Sequence, residues 1–451
     1  MNVFPTPGPS VTNVTTAAAA ANARAGGGVG LNLVVDNDLL KSPAIRVPER
    51  VDGGLRVRRV EFDDRAVEVP FEELRVHDEA MFATFPDRVH EVLAGEVADP
   101  LLDDFWPLAL AQRGRTDRLG LRFALARRAL EGSWGARNFE VPLSALCETE
   151  AFLWFAAHLL AQLPRFQKVH NEALARYRGL YGIRSKHHPV PALGREGEWL
   201  EAPFWVWRAD EPRRRPLLAR QLARTLQLRV RGEDAPLIEV PLGPDREACC
   251  AVEQLMGLAA RRVRLRTRAL TTTMFARYLL GDLFIHGIGG AKYDELGDAI
   301  AGRFFGIEPP SYLTLSLTLW LNLATDPASP ERLKSIERQL RDLSYNPDRN
   351  LDGFIPPEFR AWIEAKRRAI AGPVDDAPGR LARFREIRRC NEALQPPVAA
   401  RRGALLAERN RLLAGLHQNA LAHHREYGFV LHSRSHLHEV FARTVPAAFG
   451  V

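Results

Sequence analysis

The sequence predicts an α/β protein built on a Rossmann-like, mainly parallel sheet, with an antiparallel insert and a C-terminal helical hairpin of coiled-coil-like character. Three observations carry that prediction. A short apolar run at 31–36 (LNLVVD) is entered through the glycine-rich stretch 26–30 and leaves through Asp36-Asn37-Asp38, the pattern of a buried parallel strand. The stretch 282–321 reads as strand, glycine turn, helix and strand, which is a βαβ unit. Beyond Asn322 the strand signal stops, and charged helical patterns run to about Arg425.

Taken in order, the alanine-rich segment 17–25 reads as the end of a helix, and 60–180 reads mainly as helices, including 150–162 and 167–180. The period then changes. FWVWR at 204–208, LQLRVR at 226–231 and PLIEV at 236–240 look like short strands joined by polar turns, which makes 202–241 the antiparallel insert. Residues 270–280 read as a helix, DLFIH at 282–286 as a strand and Gly287-Ile288-Gly289-Gly290 as a tight loop. The helix expected at 291–305 has Tyr293, Leu296, Ile300 and Phe304 on one apolar face. Leucines at alternate positions in YLTLSLTLWL predict a strand at 312–321. Pro396-Pro397 then divides two helical arms, 379–394 and 398–424. Leu406, Leu413, Leu416 and Ala420 in the second arm fall at coiled-coil spacings. The apolar YGFVLH at 427–432 predicts a return to the core. The expected domains are therefore a core at 1–322, a hairpin at 323–425 and a returning segment at 426–451.

Composition narrows the classes of function. With 451 residues, 46% of them hydrophobic and 26% charged, the chain can bury a large core, which excludes wholesale disorder. The 62 basic and 55 acidic residues leave a net charge of +7, spread along the chain, so an anionic ligand suits it better than nucleic acid does. The cysteines, Cys147, Cys249, Cys250 and Cys390, show no C-x-x-C spacing, and the adjacent pair is expected to be small core residues. The most lipid-like stretch, 152–163, is too short to span a bilayer. A reduced, cytoplasmic protein with no membrane span and no metal site is the expectation.

Two places suit chemistry. The sequence HGIGGAKYDE after the strand at 282–286 lets backbone N–H groups converge on an anion, with Lys292 adding charge and with His286, Tyr293 and Asp294 nearby. It lacks the Gly-Lys-Ser/Thr of a P-loop, and Lys292 stands at the third glycine position of G-x-G-x-x-G beyond Gly287 and Gly289. No G-x-S-x-G occurs anywhere, which removes the esterase class. The second place is Asp36-Asn37-Asp38 at a strand end, where carboxylates bind hydroxyls or act as general base, with Lys41 just beyond. The bland reading is a solvated turn. Arg266 and Arg268, ahead of the helix at 270–280, are candidates to clamp a carboxylate or phosphate; the bland reading is an arginine-rich solvated segment.

The order of these pieces resembles the BshC family, the cysteine ligases that complete bacillithiol synthesis. Members carry T-R-P-L before a helix, an apolar strand, a G-P-G-E-x-x-Y loop and helix, a Pro-rich turn and a further strand. Here the corresponding residues are Thr267-Arg268-Ala269-Leu270, the strand at 282–286, the run from Gly287 through Gly290 to Tyr293, Pro309-Pro310 and the strand at 312–321. The family's F-W-V-x-x-E-D strand end is similar to 31–38. Two departures stand out: the family's glutamate is Gly290 here, and its first N-terminal loop has no counterpart. The resemblance implies a carbon–nitrogen ligase that adds an amino acid, by analogy cysteine, to the amine of a sugar conjugate, using ATP or a related nucleotide, in a homodimer. On that reading Asp36 and Asp38 are catalytic, while Asn37, Lys41, Arg268, His286, Gly287, Gly289, Gly290, Lys292, Tyr293 and Asp294 bind substrate or anion. The alternatives are a divergent non-catalytic relative that binds a sugar or nucleotide, and a nucleic-acid-binding protein.

Overall fold

The computed structural model describes residues 29–40, 42–65, 68–241, 249–315, 318–351, 355–373 and 376–440; the helix expected at 17–25 and Lys41 lie outside them. The chain is a mixed α/β protein with both parallel and antiparallel strand pairing. The described residues fall into two compact units, one taking 29–47, 58–321 and 425–440, the other 48–57 and 322–424.

In chain order the first unit starts with β1 (Leu31–Val34). A hairpin follows, β2 (Ala44–Val51) and β3 (Gly54–Glu61), whose tip at 48–57 belongs to the second unit and which turns at Asp52 and Gly53, both with positive φ (51° and 78°). That is the Asp-Gly turn that matches the twist of two-residue hairpins. Helices α1 (Glu79–Ala83), α2 (Phe85–Leu93), α3 (Leu102–Ala111) and α4 (Leu119–Ser133) come next. They enclose an aromatic knot in which the Phe82, Phe85 and Phe123 rings lie 4.3–5.6 Å from Trp106, whose indole N–H donates to the Phe82 carbonyl at 2.7 Å. Phe429 packs edge-on against Phe105 at 5.3 Å, and Tyr427, Val430 and Leu431 around it are fully buried. Strand β4 (Phe139–Pro142) returns parallel to β1 and leads into the short α5 (Leu143–Leu146).

The remaining elements surround the largest sheet. Helices α6 (Glu150–Ala161) and α7 (Leu163–Leu180) are separated by Gln162 alone. Strands β5 (Arg195–Glu196), β6 (Trp199–Arg208), β7 (Glu211–Gln221), β8 (Thr225–Val230) and β9 (Ile238–Pro241) precede α8 (Cys249–Ala260) and β10 (Val263–Thr267). They form one antiparallel sheet in the order β10-β6-β7-β8-β9, with β5 on β6. In β10 the two-residue period is explicit. Val263 and Leu265 enter the core beneath α8, while Arg264 and Arg266 lie on the opposite face with Trp207. The guanidinium of Arg266, with 2% of its side chain exposed, holds the equally buried Glu72 carboxylate through 2.7–3.2 Å contacts and reaches Glu148 at 3.0 Å. It is therefore a structural counterion in a strand, not part of a solvated segment.

Helix α9 (Ala269–Phe275) continues into a π-helical turn at Ala276–Leu280. Then β11 (Phe284–His286), α10 (Ile288–Phe304) and β12 (Tyr312–Thr314) make the expected βαβ unit, with β11 and β12 parallel and Phe284 opposite Tyr312. Leu296, Ile300 and Phe304 are buried and Tyr293 packs against the same core, as the apolar face predicts.

Several expectations need correction. Strands β1 and β11 do not share a sheet, because each belongs to its own two-stranded parallel pair. The sheet is thus not mainly parallel: the strands at 202–241, expected as an insert, belong to the largest sheet, together with β10. The expected glycine loop is instead the first turn of α10, capped at Gly287, and among the described residues of the expected strand at 312–321 only 312–314 are extended in a ladder. Cys250 is exposed, not a core residue.

The second unit contains α11 (Pro330–Tyr345), α12 (Pro357–Ala371), α13 (Ala377–Ala393) and α14 (Gln395–Ala422), with Pro396 and Pro397 in the first turn of α14. Proline fits there because the first helical N–H groups need no intrahelical acceptor. The two arms do not simply pair: α14 packs on α11 and α13 on α12. The buried seam of α14 is Val398 and Leu405, with Leu412 behind them, against Ile336, Leu340 and Leu343. Leu406 and Leu413 are 38% and 39% exposed, so the expected stripe is one residue out of register, about 100° around the helix.

Replacing Arg266 by Met strands the Glu72 carboxylate in the interior, and chemical denaturation of the variant is expected to show a loss of about 3–5 kcal/mol. The double change Arg266→Met with Glu72→Leu should recover most of that loss. Equal loss in both proteins would show that the pair is not what matters there.

Candidate functional site

The end of β1 and the end of β10 are drawn together by Asn37. Its buried side-chain amide donates to the Thr267 carbonyl at 2.9 Å, across 230 residues of sequence. Beside this tie opens a cleft of about 280 Å³, lined among others by Asn37, Asp38, His170, Trp205, Arg214 and Arg268. Each side chain has a definite origin. Arg214 comes from β7 and Trp205 from the neighbouring β6, whereas Arg268 is the extended cap residue between β10 and α9. His170 projects from α7.

The two guanidiniums lie over the Trp205 ring, Arg268 at 4.2 Å and Arg214 at 5.1 Å from its centre. Such contacts orient a cation without neutralising it. Arg214 donates to the Asn37 carbonyl at 2.9 Å and faces the Asp38 carboxylate at 3.4 Å. Arg268 faces Glu201 at 2.7 Å, and its Nε is buried without a hydrogen-bond partner. Burial lowers the pKa of both arginines, and Arg214 and Arg231 add to the effect at Arg268. Burial pushes the Glu201 carboxyl up, but Arg268, the Gly194 N–H and Arg231 together outweigh it and hold the group below its ordinary value. A Cβ on Gly194 would stand 2.9 Å from Glu201 Oε2, so a side chain there would displace that carboxylate. His170 is pushed toward its neutral form by burial and further by Arg268, and its Nδ1 meets Asn171 at 3.2 Å. The cleft therefore combines two oriented cations, a neutral imidazole and apolar walls.

Asp36 stands outside the cleft lining. Its carboxylate accepts from the backbone N–H of Ser144 at 2.8 Å and from the Ser144 hydroxyl, and burial raises its pKa. It fastens the start of α5, so of the two carboxylates expected to be catalytic at this strand end only Asp38 lines the cleft. Of the other expected residues, Asn37, Asp38 and Arg268 are brought together here.

The group at the βαβ junction is a separate cluster. His286 packs on Tyr312 with ring centres 4.7 Å apart, and its Nε2 stands 3.7 Å from the Asp294 carboxylate. Arg277, 2% exposed, binds Asp298 at 2.6 Å and Asp294 at 3.3 Å. Burial raises Asp294 to about 6 and lowers His286 to about 4. Gly290 is explained by close approach, because a Cβ there would sit 2.5 Å from His286 Nδ1. Gly287 at the cap of α10, Gly289 in its first turn and Lys292 are exposed, and the Lys292 carbonyl accepts from Tyr177 at 2.9 Å. Tyr293 packs into the core. None of these residues lines the cleft, so the two expected halves of one crevice are distinct places.

No protein-family model matches this chain, and no curated protein matches it significantly. The site therefore stands on its own geometry. Trp205, Arg214, His170 and Glu201 were not singled out by the sequence; each sits in an ordinary strand or helix pattern, and only the pairing of β6 with β7 and β10 reveals their convergence. Among the described residues one three-membered grouping has metal-ligand spacing, Asp63, Asp64 and His77. The Asp63 oxygens there already accept backbone N–H groups of Asp64, His77 and Asp78 at 2.9–3.0 Å.

Because Asp294 is raised from 3.8 to about 6, its contribution to stability is present at low pH and lost as pH rises through about 6. Asp294→Asn should therefore gain on the parent by about 1 kcal/mol between about pH 5 and about pH 7.5, where His286 stays neutral. Unfolding free energies measured at both pH values check this, and a difference that does not change with pH would contradict it.

Proposed function

We propose that this chain binds a small organic anion in the cleft beside Trp205, with Arg214 and Arg268 holding its negative charge. The observation that carries this reading is the pair of guanidiniums, 17% and 13% exposed, oriented over one indole in a concave, largely apolar site. Concave apolar clefts with a few convergent polar groups are the usual form of small-molecule sites.

The resemblance to the cysteine ligases of bacillithiol synthesis supports a further step, in which the bound acid is one partner of a carbon–nitrogen ligation. In such a reaction an amine attacks an acyl carbon activated with ATP; the C–N bond forms, the bond to the phosphate-bearing leaving group breaks, and the nitrogen loses a proton. His170, neutral and in the cleft wall, is the group suited to take that proton. The βαβ unit at 284–314 is in keeping with the Rossmann-like core that the resemblance implies; the same resemblance implies a homodimer in a cytoplasmic setting. One observation favours a second reading, a binding relative without catalysis: Asp36, the expected base, is committed to Ser144. No helix among the described residues is long and apolar enough to cross a membrane.

Calorimetric titration of the full chain with benzoate, cysteine, inorganic phosphate, an aminosugar conjugate and ATP tests the anion reading. At least one anion is expected to saturate, and Arg268→Met should weaken it about tenfold or more, the loss of one charge-assisted contact. If no anion saturates, or if Arg268→Met leaves binding unchanged, the proposal fails. Turnover of cysteine, an aminosugar conjugate and ATP by the parent, abolished in His170→Gln, would separate ligase from binding relative.

A further inference from the structure

Resting on the reading of the cleft as an anion site, we propose that its ligand is a phosphate monoester whose body carries a hydroxyl group, the chemistry of a polyol or sugar phosphate.

The hydroxyl follows from the tautomer of His170. The Asn171 side-chain nitrogen donates to the Leu193 carbonyl at 3.0 Å, and the Asn171 side-chain oxygen accepts from the Leu193 N–H at 2.9 Å. That oxygen also stands 3.2 Å from His170 Nδ1, which must therefore be the donor. In the neutral ring the other nitrogen, Nε2, then carries only a lone pair. It has no partner within the protein, and His170 lines the cleft. A ligand completes this position by donating a hydrogen bond, and a hydroxyl does so without bringing more positive charge among the arginines.

Charge and free donors define the head group. The guanidiniums of Arg178, Arg214, Arg231 and Arg268 act on one another and on His170. They face two carboxylates, Asp38 at 3.4 Å from Arg214, and Glu201 at 2.7 Å from Arg268 and 3.0 Å from Arg231. Arg178 bonds only the carbonyls of Lys186, His188 and Val190, at 2.7–3.0 Å. Glu196, 2.8 Å from Arg231, is matched by Arg229 at 3.0 Å and leaves the balance unchanged. The excess is two positive charges, which a dianion neutralises and a monocarboxylate does not. Arg214 and Arg268 lie over the same indole, so their charge gathers at one place and suits a single doubly charged head group better than two separated carboxylates. Trp205 Nε1 and the buried Arg268 Nε have no acceptor within the protein. A phosphoryl group presents three acceptor oxygens to such donors.

The walls and the size agree. Phe166, Val190, Leu193 and Leu270 offer apolar surface to a carbon skeleton. The volume of about 280 Å³ lies just below the roughly 300–1,000 Å³ of clefts that hold drug-sized ligands, which suits one small phosphorylated molecule.

Calorimetric titration of the full chain at about pH 7.5 with glycerol 3-phosphate, propyl phosphate, propyl sulfate and butanoate tests both parts of the proposal. Phosphate monoesters are dianions at that pH, since their second pKa is about 6, whereas the sulfate ester has the same shape and one charge fewer. Propyl phosphate is expected to bind at least about tenfold more tightly than propyl sulfate or butanoate, and glycerol 3-phosphate at least about fivefold more tightly than propyl phosphate. His170→Phe keeps an aromatic ring beside Phe166 and removes the lone pair, so it should erase the second preference and leave the first. If that variant does not fold, nitrogen magnetic resonance of the parent serves instead: the His170 Nε2 signal should move further with glycerol 3-phosphate than with propyl phosphate. Propyl sulfate or butanoate binding as tightly as propyl phosphate would overturn the ligand class and leave the anion site standing. So would a glycerol 3-phosphate that binds no more tightly than propyl phosphate, a preference for it that survives His170→Phe, or an Nε2 signal that responds equally to both. Binding of none of the four would overturn the class and the anion reading together.

Discussion

A guanidinium buried in a β-sheet needs a counterion and a flat partner, and the pairing of Arg266 with Glu72 beside Trp207 supplies both. This pair fixes which face of β10 looks to the core, because a one-residue slip would drive Arg264 and Arg266 into the apolar side beneath α8 and expel Val263 and Leu265. With the register set, Arg268 emerges at the strand end over Trp205, and the Thr267 carbonyl is placed to receive Asn37. The cleft follows from the register of one short strand. The cost of burying an ion pair makes it a poor source of stability, and its value here is in specifying a single arrangement.

The sequence was informative where a pattern was long or local. Helices at 150–162 and 167–180, the βαβ succession and the apolar face of α10 were legible because periodicity and glycine placement act over short spans. The hairpin at 44–61 also carries a readable sign, the Asp52-Gly53 turn. Strand β10 is hidden by its composition: VRLRT alternates perfectly, but its two arginines, following Arg261 and Arg262, look like a solvated run until Glu72 and Glu73, nearly two hundred residues away, are known to meet them. Sheet membership was the least legible feature. Strand β1 pairs with β4 and β11 with β12, and nothing in four-residue and three-residue runs specifies which partners they choose. In α14 the error was one of register, since both the 398-405-412 and the 406-413 series contain apolar residues and only packing against α11 decides between them.

For the site, the sequence located Asn37, Asp38 and Arg268 but joined them to the wrong partners. The glycine-rich turn reads as a ligand cradle, and the structure gives several of its residues internal partners: Gly290 makes room for His286, and Asp294 and Asp298 pair with Arg277. Asp36 shows the same lesson from the other side. A carboxylate at a strand end is as well suited to capping the next helix as to meeting a substrate, and here Asp36 holds the Ser144 N–H.

The central claim is that Arg214 and Arg268 present a shared anion site over Trp205. The most direct measurement is nuclear magnetic resonance of the arginine side-chain Nε–H groups, with Arg214 and Arg268 assigned through Arg→Lys variants, during titration with a small carboxylate such as benzoate. The account predicts that both resonances shift together, saturably and with one dissociation constant, while that of Arg266 moves little. Saturable shifts confined to other arginines, with Arg214 and Arg268 unmoved, would contradict it.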